Sequence, residues 1–331
     1  MLGAGSWGTT LALHLARLGV PVSLWDGDAA HLARLASDRE NRRHLPGESF
    51  PEGLRVTPSL GDAAGCEVAV FSVPSRAMAE VARGVADAHP GWTALPVSVA
   101  KGLEGESGRR MSQVLAAALP PQAAARVTVL AGPSLATEVA RGLPVHMVAA
   151  GPEPDAQLVQ RLFSGRNMRV YTNPDAAGGE YAGALKNVIA IAAGILDGMG
   201  LGDNARGALI TRGLAEMVRL GVTLGAKAES FYGLCGVGDL VTTCGSRLSR
   251  NHQVGEGLAR GEALDEILER LGQVAEGVPA TRAAVALAAR HGVEMPIAEQ
   301  VHQVLFDAKS PRRALEELLS RGLKSEVGPR P

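Results

Sequence analysis

The sequence predicts an α/β domain with a doubly wound, mainly parallel sheet at residues 1–178, followed by an all-α domain at residues 179–331. Strand and helix patterns alternate along the first half, which is typical of βαβ units. Helix-period patterns dominate from about Gly179 onward. The chain has 331 residues, a length at which a single hydrophobic core usually divides into two domains.

The composition is that of an ordinary globular protein, with 46% hydrophobic and 20% charged residues. A net charge of −1 gives no electrostatic reason to expect binding to nucleic acid or to an anionic membrane. No apolar run approaches the roughly 20 residues of a spanning helix, and no basic segment precedes an apolar one at the N-terminus. We therefore expect a cytoplasmic protein without membrane insertion.

The cysteines and histidines do not predict a metal site. Cys66, Cys235 and Cys244 have no CxxC spacing, and we expect them to be free thiols. The eight histidines are scattered without the spacing of metal ligands. The sequence therefore predicts no metal.

The first motif is a glycine fingerprint, G-x-G-x-x-G, formed by Gly3, Gly5 and Gly8. Such glycines allow a tight turn and a close approach of the backbone to a pyrophosphate at a helix N-terminus. A helix pattern follows, then a strand at Val20–Trp25, and Asp26 lies at its tip, where a carboxylate binds ribose hydroxyls. The motif predicts a Rossmann-like domain that binds NAD or NADP. The charge of Asp26 favours NAD, although Asp26 is alternatively a turn or cap residue.

The strand that should precede the fingerprint is largely missing, because only Met1 and Leu2 come before Gly3. We expect its place in the sheet to be empty or filled by a stub. Either the natural chain starts several residues upstream with a β-branched run, or the sheet has a gap at its centre. Unpaired backbone groups on the neighbouring strands would be a large defect in a buried sheet.

Further elements follow in alternation. The predicted strands are Leu54–Thr57, Glu67–Val73, Ala94–Ala100, Val127–Ala131, Val145–Ala150 and Met168–Tyr171, and the predicted helices between them include Ser75–Ala88, Arg109–Leu119 and Asp155–Phe163. Three of these strands end in small or polar residues, at 72–75, 100–103 and 131–134. Ligands of doubly wound sheets bind beyond the carboxyl ends of the strands. Taken singly, each segment is more simply a strand-to-helix turn.

The segment Gly183–Gly194 is predicted to form a helix whose faces all carry mostly small or apolar residues, and we expect it to be buried. It carries Lys186. Burial lowers the pKa of a lysine and makes it a proton donor and acceptor near neutral pH. Only five of the 33 basic residues are lysines, and an arginine could not release a proton. The alternative is a lysine with a buried stem and a hydrated head.

Two polar clusters follow in the second half. Asp239 comes after a glycine-rich turn that begins at Gly236. Ser249, Arg250 and Asn251 precede a helix, and a serine cap, an arginine and an amide at a helix N-terminus suit a phosphate. The alternative is a capped surface helix with a hydrated arginine.

Taken in order, these stretches resemble the NAD(P)-dependent glycerol-3-phosphate dehydrogenases of the bacterial type, from Gly3 to about Ala308. The matching blocks are residues 2–9, 41–46, 98–104, 131–134, 183–188, 209–217, 236–240, 249–251 and 274–277. The resemblance implies a Rossmann domain packed on a helical domain, with the active site in the cleft. It implies reversible hydride transfer between sn-glycerol 3-phosphate and dihydroxyacetone phosphate, which supplies the backbone of glycerophospholipids. A small phosphorylated substrate and a homodimer are the expected partners.

The resemblance also implies roles for individual residues by matched position. Lys186 is the expected proton acceptor, Asp239 binds or orients it, and Lys101 lies near substrate and nicotinamide. The expected substrate contacts are Lys101, Gly132, Ser134, Lys186, Asn187, Asp239, Ser249, Arg250 and Asn251. The expected cofactor contacts, besides the three glycines and Asp26, are Ser6, Trp7, Gly27, His44, Lys101, Ala136, Arg250, Val274 and Glu276. Glu276 is alternatively a first-turn acid that the helix dipole favours.

Two other functions compete with this one. A related dehydrogenase acting on a 3-hydroxy acid or ketopantoate would also use a Lys-Asn helix, but the Ser249–Asn251 block argues for a phosphorylated substrate. A non-catalytic nicotinamide-binding regulator would need no buried lysine beside a carboxylate held on glycines.

Overall fold

The computed structural model describes residues 1–105, 107–323 and 325–326. Its strands are β1 (Val22–Leu24), β2 (Glu40–Asn41), β3 (Leu45–Ser49), β4 (Leu54–Val56), β5 (Val68–Phe71), β6 (Leu95–Ser98), β7 (Leu103–Glu104), β8 (Arg109–Arg110), β9 (Thr128–Ala131), β10 (Val145–Ala150) and β11 (Met168–Asn173). These strands belong to the first half of the chain, as the alternating pattern predicts.

Helices of the first half lie between the strands. They are α1 (Ser6–Arg17), α2 (Ala29–Asp38), α3 (Leu60–Ala64), α4 (Met78–Ala88), α5 (Met111–Ala118), α6 (Pro121–Ala124), α7 (Ala136–Ala140) and α8 (Glu153–Phe163). The helices of the second half are α9 (Ala176–Gly198), α10 (Gly202–Thr223), α11 (Ala228–Tyr232), α12 (Asp239–Gly245), α13 (Arg250–Ala259), α14 (Leu264–Leu271), α15 (Gly277–His291), α16 (Pro296–Phe306) and α17 (Pro311–Leu319). The fold class is therefore confirmed: an α/β Rossmann-like domain precedes an all-α domain.

The main sheet has the strand order β11-β10-β9-β6-β5, and β1 pairs with β4 beside it. Its pairs are parallel except for β9 with β10, which run antiparallel. The prediction of a mainly parallel sheet is therefore confirmed. Because β5, β6 and β9 run parallel, their carboxyl ends lie at the same edge of the sheet. The segments that follow these three strands are therefore brought close together at that edge.

A stub of the first strand joins β1 to β5. Leu2 is fully buried and forms parallel bridges to Trp25 on one side and Phe71 on the other. Its N–H donates to the Val70 carbonyl at 2.8 Å, and its carbonyl accepts from the N–H of Ser72 at 2.7 Å. The expectation of a stub instead of a full strand is confirmed. The glycine fingerprint begins at Gly3, directly after this stub.

Several element boundaries differ from the predictions. The helix predicted at Ser75–Ala88 begins with a 3₁₀ turn at Ser75–Ala77 before α4. The helix predicted at Arg109–Leu119 begins at Met111, because Arg109 and Arg110 pair as a strand with β7. The buried helix is much longer than Gly183–Gly194 and runs from Ala176 to Gly198. Hydrophobic patterning marks the interior of an element better than its ends.

The hairpin formed by β2 and β3 is absent from the predictions, because the two strands are short and polar. It is held against the fingerprint by Asn41. The side-chain amide of Asn41 donates to the carbonyl oxygen of Ala4 at 2.8 Å and to the hydroxyl of Thr9 at 2.7 Å. The hairpin therefore forms one wall beside the glycine loop and places His44 there.

The second half is organised around α9, whose residues 178–195 are all buried. Gly194 on α9 and Gly255 on α13 let these helices touch backbone to backbone, since a Cβ on either would overlap the main chain of the other helix. The division at residues 178 and 179 stays a prediction. It falls in the first turn of α9, and residues 324 and 327–331 of the predicted second domain lie outside the described residues. Among the described helices, none has the length and apolarity to cross a membrane.

Glu216 on α10 is a buried acid that caps α16. Its two carboxylate oxygens accept the N–H groups of Ile297 and Ala298, at 2.7 and 3.2 Å. Burial raises the pKa of Glu216 to about 7, and the two backbone hydrogen bonds and Arg219 oppose this rise. The group therefore titrates near neutral pH in the folded chain.

Glu216→Gln is expected to remove a pH dependence of stability. Because its folded pKa is raised above the unfolded value of 4.5, the contribution of Glu216 is fully present below about pH 4.5 and is lost as pH rises through about 7. The difference amounts to at most about 3 kcal/mol, at about 1.36 kcal/mol per pKa unit. Urea unfolding of both proteins from pH 5 to 8 measures it. The glutamine variant should gain stability relative to the parent as pH rises, and a constant difference would contradict the pKa.

Candidate active site

The glycine loop lies at the N-terminus of α1. Gly3 has φ +108°, and a Cβ there would lie 2.5 Å from the carbonyl oxygen of Ser72. A Cβ on Gly8 would overlap the carbonyl oxygen of Gly3, whereas nothing lies within 4 Å of a Cβ built on Gly5. The first and third glycines are therefore required by packing. The second leaves open space over the loop, which fits the close approach of a dinucleotide pyrophosphate.

Asp26 is held against this loop by two backbone groups. Its Oδ2 accepts the N–H of Ala4 at 2.7 Å, and its Oδ1 accepts the N–H of Asp28 at 3.0 Å. The bond to Asp28 makes Asp26 a turn residue, and the bond to Ala4 joins it to the fingerprint. Gly27 leaves room beside it, since a Cβ there would meet only the Trp25 ring, at 3.8 Å.

Three further predicted cofactor residues lie in the glycine loop or beside it. The hydroxyl of Ser6 donates to the carbonyl of His44 at 2.7 Å. The Nε1 of Trp7 and the Nδ1 of His44 are buried without a hydrogen-bond partner among the described residues. Burial lowers the pKa of His44 to about 4, so its ring is neutral at physiological pH. A buried polar atom without a hydrogen bond raises the free energy of the folded chain. These two nitrogens are therefore suited to bind a polar ligand beside the loop.

The second half contributes a buried lysine–carboxylate cluster. Lys186 lies on α9, and its Nζ donates to Asp239 Oδ1 at 2.8 Å and to the hydroxyl of Thr243. Lys101 follows β6, and its Nζ donates to Asp239 Oδ2 at 2.6 Å. The same ammonium donates to the hydroxyl of Ser134 and the carbonyl of Gly132, at 2.6 and 2.7 Å. One carboxylate thus joins the two predicted catalytic lysines.

A π-helical turn at Leu234–Gly238 aims Asp239 at this cluster. Gly236 within it has no space for a side chain, because a Cβ would overlap the main chain of Phe231. Single π turns occur often at functional sites, where they redirect the following residues. Asp239 then begins α12 with only 1% of its side chain exposed.

The electrostatics of the cluster agree with the sequence prediction. Burial lowers the pKa of Lys186 to about 8, Asp239 opposes this fall, and repulsion from Lys101 adds to it. Burial raises the pKa of Asp239, but the two lysines outweigh it and hold that pKa below its usual range. Asp239 is therefore a carboxylate, and Lys186 has both protonation states accessible near neutral pH.

Two asparagines link the helices around the lysine. Asn251 on α13 donates to the side-chain oxygen of Asn187 and accepts the N–H of Gly277, both at 2.9 Å. Asn187 in turn donates to the carbonyl of Lys101 at 3.1 Å. Both predicted substrate residues therefore hold the cleft together through their side chains.

The predicted phosphate site lies at the start of α13. The hydroxyl of Ser249 accepts the N–H of His252 and caps the helix. The first-turn N–H groups of Arg250 and Asn251 have no acceptor within the helix. The Arg250 guanidinium is exposed and donates to the carbonyl of Val274 at 2.6 Å.

Glu276 connects the two halves across the cleft. Its carboxylate accepts the N–H and the hydroxyl of Ser75, at 3.1 and 2.8 Å. Both oxygens are thus engaged with the first half of the chain. Ala136 opens α7, and its carbonyl accepts from Thr10 on α1 at 3.2 Å, so it lies close to the glycine loop.

Sequence reasoning missed Thr243 and Gln273 and named Ser75 only as the end of the segment 72–75 and the start of the predicted helix Ser75–Ala88. Thr243 contacts Lys186, Gln273 lies 3.3 Å from the hydroxyl of Ser6, and Ser75 binds Glu276. Thr243 was accessible from the sequence, because it lies four residues after Asp239 and residues at that spacing share a helix face. The other two contacts join residues about 200 or more positions apart and have no local signal.

Comparison with known proteins agrees with this geometry. Family models described as the N-terminus and the C-terminus of NAD-dependent glycerol-3-phosphate dehydrogenase match residues 1–157 and 175–316. The chain is 48% identical over 329 residues to the glycerol-3-phosphate dehydrogenase (NAD(P)+) of Chlorobium limicola, covering 99% of this chain and 98% of the relative. The enzyme of the same name from Geobacter sulfurreducens is 49% identical over 329 residues, with 98% of each chain covered.

A solved structure shows the same architecture. The crystal structure of glycerol-3-phosphate dehydrogenase from Coxiella burnetii superposes with a TM-score of 0.91 at 40% identity, covering 97% of this chain and 98% of that one. Both family models match in order, and the relatives align over nearly their whole length. The chain therefore belongs to the NAD-dependent glycerol-3-phosphate dehydrogenase family.

Proposed function

We propose that this chain is an oxidoreductase that interconverts sn-glycerol 3-phosphate and dihydroxyacetone phosphate with NAD or NADP. The observation that carries the proposal is the buried Lys186–Asp239–Lys101 cluster, in which Lys101 of the dinucleotide-binding half bonds to Asp239 and Asp239 bonds to Lys186 of the helical half. The relatives from Chlorobium limicola and Geobacter sulfurreducens are named for the same reaction, which supports the proposal. We further propose that it acts in the cytoplasm and supplies glycerol 3-phosphate for glycerophospholipids.

Lys186 is proposed as the proton acceptor. Oxidation of a secondary alcohol removes a hydride and a proton, and bound nicotinamide supplies the hydride chemistry. Neutral Lys186 would take the hydroxyl proton, and its ammonium would return the proton during reduction. Asp239 stabilises the ammonium at 2.8 Å, which keeps a protonated fraction available.

Lys101 and the start of α13 are proposed to hold the substrate. Lys101 links Gly132 and Ser134 to the cluster, and 17% of its side chain is exposed, so we propose that its positive charge attracts the phosphorylated substrate. The α13 N-terminus and Arg250 offer donors to a doubly charged phosphate. We propose that Ser249, Asn187 and Asn251 position this helix end, because their side chains bond within the protein.

The residues around the glycine loop are proposed to hold the cofactor. The space above Gly5 supports a pyrophosphate there, and the unpartnered Trp7 and His44 nitrogens support polar contacts beside it. The remaining proposed contacts are Ser6, Gly27, Ala136, Val274 and Glu276. Because Glu276 binds Ser75, it would also help to close the two halves around the nucleotide.

A nicotinamide absorbance assay tests the function. Purified protein is mixed with reduced cofactor and dihydroxyacetone phosphate, and in parallel with ketopantoate or a 3-oxo acid. We expect oxidation of the cofactor with dihydroxyacetone phosphate. Turnover of the other substrates alone would favour the related dehydrogenases, and cofactor binding without any turnover would favour a regulator.

Arg250→Ala is expected to act mainly on substrate binding. Removing one charge-assisted donor to the phosphate should raise KM for dihydroxyacetone phosphate by about tenfold or more, with a smaller change in kcat. Steady-state kinetics with the phosphorylated substrate measure both constants. Arg260→Ala at the other end of α13 is the matched control, because it removes a charge that pairs with Glu262 instead. Loss of kcat at unchanged KM would contradict the phosphate role.

A homodimer is also proposed. The support is the outward face of α10, which exposes Gly207, Ala208, Thr211 and Val222, a set of small or apolar residues at helical spacing. Such a face can pack closely against a second copy. Light scattering after size exclusion tests it, and Ala208→Glu should then yield monomers. A monomeric parent protein would contradict the proposal.

A further inference from the structure

The helices that carry the two parts of the proposed substrate site, α9 and α13, touch through their main chains. Lys186 lies on α9, and the proposed phosphate donors lie in the first turn of α13. A Cβ on Gly194 would overlap the main chain of His252, and a Cβ on Gly255 would overlap the carbonyl oxygen of Ile191. Packed helices are usually held in register by side chains that interlock between them. With glycines at this contact, the direction of α13 depends on contacts outside the crossing.

Two hydrogen bonds between side chains hold the first turn of α13 against α9, one on each side of the crossing. Asn251 donates to the side-chain oxygen of Asn187 at 2.9 Å. His252 comes next along the chain, and its Nε2 lies 2.8 Å from Asp197 Oδ2. Asn187 and Asp197 are ten positions apart on α9, which is about 15 Å along a helix. Two bonds that far apart resist rotation of α13 about the crossing.

The pair formed by His252 and Asp197 is buried and firmly held. The side chain of His252 is 1% exposed, and Asp197 Oδ1 accepts Nη2 and Nε of Arg206 on α10, at 2.7 and 3.1 Å. Burial raises the pKa of Asp197, but Arg206 and His252 outweigh it and hold that pKa below its usual range. Because a carboxylate only accepts hydrogen bonds, Nε2 of His252 carries the hydrogen. Its Nδ1 has no hydrogen-bond partner among the described residues, so Nε2 alone holds the ring.

The main chain of His252 belongs to the phosphate site itself. Its N–H donates to the hydroxyl of Ser249, the residue that caps α13, at 3.3 Å. Arg250 and Asn251 lie between these two residues, and their N–H groups are the free donors proposed to bind the phosphate. The ring of His252 therefore ties to α9 the same turn that presents these donors.

We infer that His252 is a positioning residue for the substrate phosphate, because its bond to Asp197 holds the first turn of α13 in place relative to α9. The inference rests on the proposed function and adds to it a residue that does not touch the substrate. A misplacement of about 1 Å can cost about 100-fold in activity. A loosened turn should therefore weaken the binding of the phosphorylated substrate while Lys186 stays in place on α9.

Two amide substitutions that differ in length test the inference. In His252→Gln the amide nitrogen takes the place of Nε2 and can donate to Asp197. In His252→Asn it takes the place of Nδ1 and falls short of Asp197. His252→Asn should raise KM for dihydroxyacetone phosphate by about tenfold, with a smaller change in kcat. His252→Gln should keep KM near that of the parent. Asp197→Ser removes the acceptor instead and carries the same expectation as His252→Asn.

Steady-state kinetics with saturating reduced cofactor measure these constants, and urea unfolding measures the stability of each variant. KM for the reduced cofactor should stay unchanged, because the glycine loop lies in the other half of the chain. His302→Asn is the matched control. His302 on α16 lies 3.5 Å from Asp307, so its loss removes a histidine–aspartate contact away from α13 and should leave both KM values unchanged.

The outcomes separate this inference from the proposed function. A parent protein that does not reduce dihydroxyacetone phosphate would overturn both. With an active parent, an unchanged KM in whichever of His252→Asn and Asp197→Ser folds would overturn the inference alone. An equal rise of KM in His252→Gln would show that the bond to Asp197 is not what matters. A rise of KM for the cofactor as large as that for the substrate would indicate general loosening and would also overturn it.

Discussion

Lys186→Met should lower kcat by about 10²–10⁴-fold, the range typical of a lost acid–base group. Methionine keeps the length and apolar stem of the side chain and removes the proton site. The buried ammonium bonds to Asp239 and Thr243 would be lost with it. Cofactor affinity should barely change, because the glycine loop and Asp26 lie in the other half of the chain.

The pH dependence of the rate distinguishes proton transfer from a structural role of Lys186. Its pKa is about 8, so oxidation, which needs the neutral amine, should speed up as pH rises through about 8. Reduction, which needs the ammonium, should slow over the same range. In the methionine variant both dependences should disappear. Stopped-flow or steady-state rates in both directions from pH 6 to 10 measure this.

Lys227→Met is the matched control for this experiment. Lys227 is exposed and precedes α11, so its loss should leave kcat and the pH profile unchanged. Near-normal kcat in Lys186→Met would remove Lys186 from the chemistry. If the pH dependence remained while kcat fell, another group would carry the proton.

The sequence predicted the parts of the fold that depend on local patterns. Alternating strands and helices, the glycine loop and the buried helix around Lys186 all have signals within about ten residues of the chain. The low pKa of Lys186 was predictable too, since apolar neighbours such as Leu185 and Ile189 already indicate desolvation. The same local reasoning misplaced the ends of several helices and strands, because contacts with residues outside an element determine where that element ends.

Long-range contacts had no such signal. Lys101 and Asp239 are 138 positions apart and Ser75 and Glu276 are 201 apart, so only the tertiary fold brings them together. The β2–β3 hairpin was missed for a related reason: Asn41 stabilises it through bonds to Ala4 and Thr9, and Leu45 is the one buried apolar residue of its two strands. The side-chain roles of Asn187 and Asn251 likewise depend on three helices meeting.

Asp239→Asn should have a large effect that differs between the two reaction directions. The carboxylate lies 2.6 Å from the Lys101 ammonium and 2.8 Å from that of Lys186. A neutral amide would leave two cations near each other without a counter-charge. The pKa of Lys186 should then fall below about 8, because the attraction that opposes desolvation is lost and the repulsion from Lys101 remains.

Reduction should therefore suffer more than oxidation in Asp239→Asn. At pH 7 less Lys186 would carry the proton that reduction requires, whereas the neutral amine that oxidation requires would become more abundant. The inflection of both pH–rate profiles should move to lower pH. An inflection that stays near pH 8 would contradict the coupling between Asp239 and Lys186, whatever the loss of rate.

The same substitution should also destabilise the fold. Removing one partner of a buried ion pair leaves an uncompensated charge and costs about 3–5 kcal/mol. Urea unfolding at pH 7 measures this loss. Combining Asp239→Asn with Lys186→Met should recover part of it, because the double variant has one buried cation fewer. If the two losses simply added, the stability effect would come from the packing of α12 and not from the charge cluster.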